Sequence, residues 1–328
     1  MTILADILSA TIVFAAPLLL VALGGMFSER SGVINIALEG IMVVGALFSC
    51  LLLSALDAAG WGVSNPQLGV FLAILLAAAA GSIFSLLLAF ASVHLKADQT
   101  IGGTALNMLA PALAITVTWA IQGQGQTTIL IPSWVRITQA NLGIAVQNNF
   151  WQNFAFKSLY LTTPVAAILL VAAVIVLYKT QFGLRLRSCG EHPQAADSVG
   201  INVYRMRYAG VFISGILGGI GGFAYTMAAG SGFQSAVAGY GFLALAVMIF
   251  GNWKPLNILG ASLFFALFKI IGSYSGSIPF LPSFSNVKSS EYIYLMLPYL
   301  VTMVLLVLTS KKSRAPKAEG IPYDKGQR

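Results

Sequence analysis

Charge is what this chain has least of. Asp, Glu, Lys and Arg make up only 9% of its 328 residues, against roughly a quarter in soluble proteins, while 58% are hydrophobic and mean hydropathy is +0.85. So few charges cannot cover the surface of a water-soluble domain of this size, which excludes one. Cysteine and histidine are nearly as scarce. Cys50 and Cys189 lie far apart, so neither a disulfide framework nor a metal site at ligand spacing is expected. No Ser, His or carboxylate constellation suggests a nucleophile or an acid–base pair, so the chain does not read as an enzyme. Also missing is any Gly-Lys dipeptide. A P-loop needs its glycines to let backbone N–H groups approach phosphates and its Lys to reach them, so no ATP chemistry is expected on this chain and no cofactor is expected to bind it.

Long apolar runs fill the space those residues leave. Stretches such as LGVFLAILLAAAAGSIFSLLLAFASV are apolar on every side. They reach the roughly 20 residues a helix needs to cross a bilayer and lack the ten-residue alternation of a transmembrane barrel. The reading is an all-α, polytopic transmembrane helical bundle of about nine spans, with eight to ten allowed by the pattern: 7–27, 33–56, 67–93, 101–121, 159–178, 207–229, 237–250, 256–275 and 292–309. Residues 1–310 form one transmembrane domain. Residues 311–328, KKSRAPKAEGIPYDKGQR, are charged and proline-bearing and read as a disordered basic tail.

The net charge of +8 reports topology rather than a nucleic-acid partner. Arg30, Lys96, Lys179, Arg185, Arg187, Arg205, Arg207, Lys254 and every basic residue after Thr309 fall on one side of these spans; only Arg136, Lys157 and Lys288 fall on the other, with Lys269 inside a span. By the positive-inside rule the first side is cytoplasmic. The C-terminus is then cytoplasmic and the N-terminus outside, in a multi-pass protein of the inner or plasma membrane. No basic residue precedes Arg30, so the first segment reads as a retained span rather than a removable signal.

Two connections carry information. The outer stretch 122–158 holds Trp134, Phe150, Trp151 and Phe154, which suit an interfacial aromatic belt. The inner connection 180–206 contains a short predicted helix over 193–199: Pro193 suits the first helical position and Gly200 the left-handed stop. Its small, nearly neutral face of Ala195, Ala196 and Ser198 lies between basic flanks. That arrangement fits a partner's cleft, an anionic lipid surface or an ordinary connecting loop.

Three stretches, FSERSGVINIALEGIMVVGA, GLRLRSCGEHPQAADSVGINVYRMRYAG and GYGFLALAVMIFGNWKP, stand in the order seen in a known family. The chain resembles the permease subunits of ABC importers for nucleosides and simple sugars, a family related to the branched-chain amino-acid and ribose permeases. The resemblance implies that 180–206 is a cytoplasmic coupling loop docking on a separate ATPase subunit, with Gly190, Glu191, Pro193, Ala195, Ala196 and Gly200 forming the coupling helix and its boundaries. It also implies a second permease chain, different or identical, and an extracytoplasmic substrate-binding protein. Within the fold, branched-chain amino acids or simple sugars are alternative substrates; an ion-coupled secondary transporter is a different class.

Polar residues inside spans are the candidates for the substrate pathway. Gly32, Asn35 and Glu39 recur at helical spacing and would share one face of the second span. Either Asn35 and Glu39 hydrogen-bond a solute there, or Glu39 pairs with Arg30 or caps a neighbouring helix. Asn107 either faces the pathway or bonds between helices. Lys269 is expected to extend toward the outer interface. Gly215, Gly218, Gly219, Gly221 and Gly222 mark a central, closely approached span. The polar breaks SERSGV and GSGFQSAVAGYG, each following a span, suggest an inverted internal repeat.

Overall fold

A computed structural model describes residues 2–137, 150, 154, 159–274, 296, 300, 303–304 and 315–326. Among the described residues, seven helices are long and apolar enough to cross a bilayer. They are α1 (Thr2–Arg30), α2 (Leu38–Ala58), α4 (Pro66–Ala89, continued by a π-helical turn Phe90–His94), α5 (Gln99–Gln122), α6 (Thr162–Lys179), α9 (Val203–Ala229) and α11 (Pro255–Ser273). Four shorter helices join them: α3 (Trp61–Ser64), α7 (Gln181–Glu191), α8 (Pro193–Ser198) and α10 (Tyr240–Phe250). Seven of the expected spans are therefore long helices. The expected span 237–250 is the short α10, and the expected span 292–309 falls almost wholly outside the described residues.

Helix starts follow local chemistry. Pro66 and Pro255 occupy the first turns of α4 and α11, where a missing N–H costs nothing. Asp98 caps α5 by accepting from the N–H groups of Thr100 and Ile101 at 2.8 and 3.0 Å. Thr180 ends α6 in an extended conformation and accepts from Gly183 N–H to start α7.

α9 is the axis of the bundle, and its glycines are the reason. In lipid, helices gain nothing from hiding apolar surface from one another, so close packing must supply the attraction. Gly215 and Gly219 lie against the backbone of α4 at Gly81 and Ala77, Gly222 against Met42 of α2, and Gly221 against Val21 of α1. The glycine run thus sits on the central helix, as expected. The α1 and α9 spans are 72% buried by their neighbours, whereas α5 and α6 are only 17% and 28% buried and form the periphery.

Contacts along α9 set the depth of everything else. α2 runs parallel to it: Asn35 meets Ser214, Gly45 meets Gly219, and Cys50 meets Thr226. α1 runs antiparallel, with Phe27 and Ser31 at Gly210 and Val21 at Gly221. The first residue of α2 is therefore level with the middle of α9.

A side chain at Gly219 has no room, since its Cβ would meet the Ala77 carbonyl. Gly219→Leu should abolish recovery of folded protein, whereas Gly260→Ala, where nothing lies near the added Cβ, should leave it intact or gain up to about 1 kcal/mol. Thermal unfolding of the two detergent-purified variants checks this; equal stability would contradict the packing argument.

Candidate functional site

Two helices begin in the middle of the bundle. α1 reaches one end at Arg30, and residues 31–37 climb back without helical structure before α2 starts. α9 reaches the opposite end at Ala229, and residues 230–239 descend in the same way before α10 starts. α10 has 11 residues, about 16 Å of helix, and ends beside Glu29 and Arg30, where Trp253 Nε1–H donates to Glu29 at 2.5 Å and the Trp253 carbonyl accepts from Arg30. The two broken units run in opposite directions and meet at mid-depth.

Glu39 is the joint between them. It lies in the first turn of α2, and its two carboxylate oxygens accept the N–H groups of Gly239 and Gly241 at the start of α10, at 2.8 and 2.6 Å. One carboxylate thus faces the positive ends of two helix dipoles. The Glu39 carboxylate caps the start of a neighbouring helix.

Asn35 and Asn107 are also engaged in the frame. Asn107 on α5 accepts from Gly40 N–H and donates to the Ile36 carbonyl, both at 2.8 Å, while Gln99, eight positions earlier on the same helix, accepts from Ile34 N–H at 2.7 Å. These amides satisfy backbone groups that the 31–37 break would leave open in lipid. Asn35 Nδ2 donates to Ser214 Oγ at 2.8 Å. Its carbonyl oxygen is buried without a partner among the described residues. The expectation that Gly32, Asn35 and Glu39 share one helical face does not hold, because Gly32 has φ +96° and the helix resumes only at Leu38. Gln99, Ser214, Gly239 and Gly241 escape a reading of the sequence alone. The recurrence of Gln99 and Asn107 on one side of α5 is the only signal there that points to them.

Lys269 does not extend outward as expected. Its ammonium lies 4.1 Å from the ring centre of Tyr240, 5.2 Å from Phe14 and 5.7 Å from Tyr225, a cation–π arrangement at the start of α10. Along the descending segment Gln234, Ala236 and Ala238 are exposed, as is Phe242 one turn into α10. Non-helical backbone at membrane depth is tolerated only where protein covers it or water reaches it. At the end away from Arg30, a cavity of about 620 Å³ lined by Ser54, Asp57, Gln122, Gln126, Thr128 and Leu130 lies beside this segment, which Ser235 ties to the Thr127 carbonyl.

At the Arg30 end stands the predicted coupling helix, α8. Pro193 opens it and Gly200, at φ +85°, follows its end. Gly190 packs on the Arg30 backbone, and Glu191 pairs with Arg30 at 3.8 Å. Ala195 is exposed, but Ala196 is only 3% exposed and packs with Cys189, Val203 and Tyr323. The predicted small outer face is thus Ala195 and Ser198 without Ala196. Burial pushes the Cys189 thiol up to about 11, so it stays a neutral packing group.

Tyr323 belongs to the tail that the sequence reads as disordered. Residues 315–326 lie folded across this end. Ala318 N–H donates to the Gly190 carbonyl at 2.8 Å, and Arg207 donates to the Ile321 carbonyl at 2.9 Å. Asp324 bonds to Lys96 at 2.7 Å, which holds its carboxyl below the usual range. Composition does not show that Ala318 and Tyr323 give this polar segment two buried anchors.

A helical membrane bundle with two opposed broken helices and a short helix projecting from one end is the architecture of a transport protein. The chain belongs to the family described as branched-chain amino acid transport system, permease component, whose model matches residues 7–309. It is 42% identical to the guanosine ABC transporter permease protein NupQ of Bacillus subtilis, covering 99% of this chain and 98% of that one. It is 40% identical to the nucleoside ABC transporter permease protein NupC of Lactococcus lactis, covering 98% and 97%. A putative glucose ABC transporter permease protein of Haloferax volcanii is 28% identical over 93% of this chain and 92% of its own length. No solved structure matches the chain.

Removing the Glu39 carboxylate leaves two amide donors unmet at mid-depth. Glu39→Ala should destabilise the permease by roughly 3 kcal/mol, and Glu39→Gln, which keeps one acceptor, by about half of that. Thermal unfolding in detergent measures both; a neutral Glu39→Ala would show that α10 does not depend on this cap.

Proposed function

We propose that this chain forms one half of the translocation pathway of an ATP-binding-cassette importer that carries nucleosides inward. The observation that carries the reading is the exposed, non-helical segment 230–239 at membrane depth, which water can reach only if it lines a pathway. The nucleoside comes from the names of the two relatives at 42% and 40% identity over nearly the whole chain. The Arg30 end is cytoplasmic, by the clustering of basic residues there. The polar cavity at the other end is the outer mouth, and it takes solute from an extracytoplasmic binding protein.

The pathway is completed by a second permease chain, a relative or a copy, facing the exposed sides of α5 and α10. ATP is hydrolysed by a separate subunit. Its docking on α8 engages Ala195, Ser198 and Val199 directly, while Gly190, Glu191, Pro193, Ala196 and Gly200 hold the helix in place. Glu39 and Asn107 act on the frame of the pathway rather than on the solute, because their polar atoms are committed to the two breaks; Asn35 holds α9 through its Nδ2 and Ser214 and keeps its carbonyl oxygen uncommitted. ATPase closure drives the two coupling helices together and rocks the bundles about the broken helices.

Uptake by cells lacking the chromosomal gene and carrying this chain with its partners tests the substrate. Labelled guanosine should enter, and a tenfold excess of unlabelled nucleosides should suppress it strongly, while leucine and glucose leave it unchanged. Competition by leucine or glucose alone would assign a different solute. For the pathway itself, Gln234→Cys and Ala236→Cys should react with a water-soluble maleimide, whereas Ile83→Cys, exposed on the apolar side of α4, should not. An unreactive Cys at both 234 and 236 would mean that protein, not water, covers this segment.

A further inference from the structure

The tail residues 315–326 touch every element around the coupling helix. Ala318 N–H bonds to the Gly190 carbonyl at the end of α7. Arg207, in the first turns of α9 and 1% exposed, gives its hydrogen bond to the Ile321 carbonyl. Tyr323, 4% exposed, fills the space between Cys189, Ala196 and Val203 and meets the Tyr204 ring at 5.4 Å between centres. Beyond it the chain forks to two ion pairs: Asp324 with Lys96, at the elbow between α4 and α5, and Lys325 with Asp197 on α8 at 3.9 Å. The ion pairs are largely exposed and contribute little. The two backbone bonds and the buried tyrosine fix the segment.

This placement gives the tail an outward face of its own. Ile321 is 57% exposed and Pro322 is exposed, and on the coupling loop Val199 is 75% exposed. Between tail and loop runs a groove of about 280 Å³, lined by Asp197, Gly200, Ile201, Asn202, Tyr204 and Lys325. The groove's wall is the coupling loop and the start of α9, with Lys325 of the tail at its edge.

We propose that residues 315–326, packed on α8 through Tyr323 and Lys325, complete the docking surface for the ATPase subunit, so that the partner reads α8 and the tail together. This rests on the reading of α8 as the coupling helix. Through Tyr323 and Asp324 the tail also ties α8 to the elbow at Lys96, so a push on the docked surface reaches α5 as well as α9. The segment is a built part of the coupling apparatus.

The test uses the full permease co-expressed with its ATPase and second permease chain and purified in nanodiscs. Three variants are compared: Ala195→Arg on the coupling helix, Ile321→Arg on the tail's outer face, and Tyr323→Ala beneath it. The hydrogen bonds of Ile321 come from its backbone alone, so its substitution should leave the permease melting temperature unchanged. The expected result is at least a tenfold loss of co-purifying ATPase for all three. A photo-crosslinking residue placed at 321 should also join the permease to the ATPase in otherwise unaltered complexes. If Ala195→Arg releases the ATPase while Ile321→Arg and Tyr323→Ala retain it and position 321 yields no adduct, the tail is not part of the docking surface and the proposal is overturned. If Ala195→Arg itself retains the ATPase, the coupling-helix reading falls and this proposal with it.

Discussion

One carboxylate between two helix starts is the constraint on which the rest of the structure depends. A helix that begins inside a bilayer presents four unmet N–H groups to a medium that cannot bond them. This chain does so twice, at Leu38 and at Tyr240, and places the two beginnings against each other. Glu39 bridges the two: it belongs to the first turn of one helix and accepts from the amides of the other. Gln99 and Asn107 meet the Ile34 and Gly40 N–H groups and the Ile36 carbonyl of the first break. These polar side chains are thus spent on holding the breaks, and the segments they hold are left free of regular structure at mid-depth.

Around that joint the bundle is rigid by packing alone. α9 carries glycine wherever another helix crosses it, so backbones of α1, α2 and α4 approach with no side chain between them. Such contacts rely on dispersion and on the absence of Cβ atoms, which makes them intolerant of substitution. The periphery is different: α5 and α6 are mostly uncovered in the single chain, as expected for elements that face lipid or a second chain. Rigid core and uncovered rim together suit a half-pathway whose other wall belongs to a partner.

Periodicity and charge make the spans legible. Seven long helices fall where the apolar runs stand, the short helix 193–198 follows its Pro193 and Gly200 signals almost to the residue, and the glycine run lies on the central helix. The direction of side chains in space is not legible. Ala196 reads as surface on a small polar helix but is covered by Tyr323, more than a hundred residues later. Lys269 reads as an interfacial lysine but turns onto the Tyr240 ring. The helix expected through Gly32, Asn35 and Glu39 is broken because side chains of α5 offer its backbone better partners than its own turn does.

By itself the sequence determined the properties that composition carries: a membrane address from scarce charge, the spans from long apolar runs, and the lack of a P-loop for ATP. These belong to local runs and need no neighbour to be read. Only the tertiary structure decided what each buried polar group does, because an amide or a carboxylate in lipid takes whichever partner the fold brings within about 3 Å. It also turned a charged, proline-bearing tail into an ordered strap. Composition reports the average cost of ordering such a segment, and a single well-placed tyrosine with two backbone bonds is enough to outweigh it.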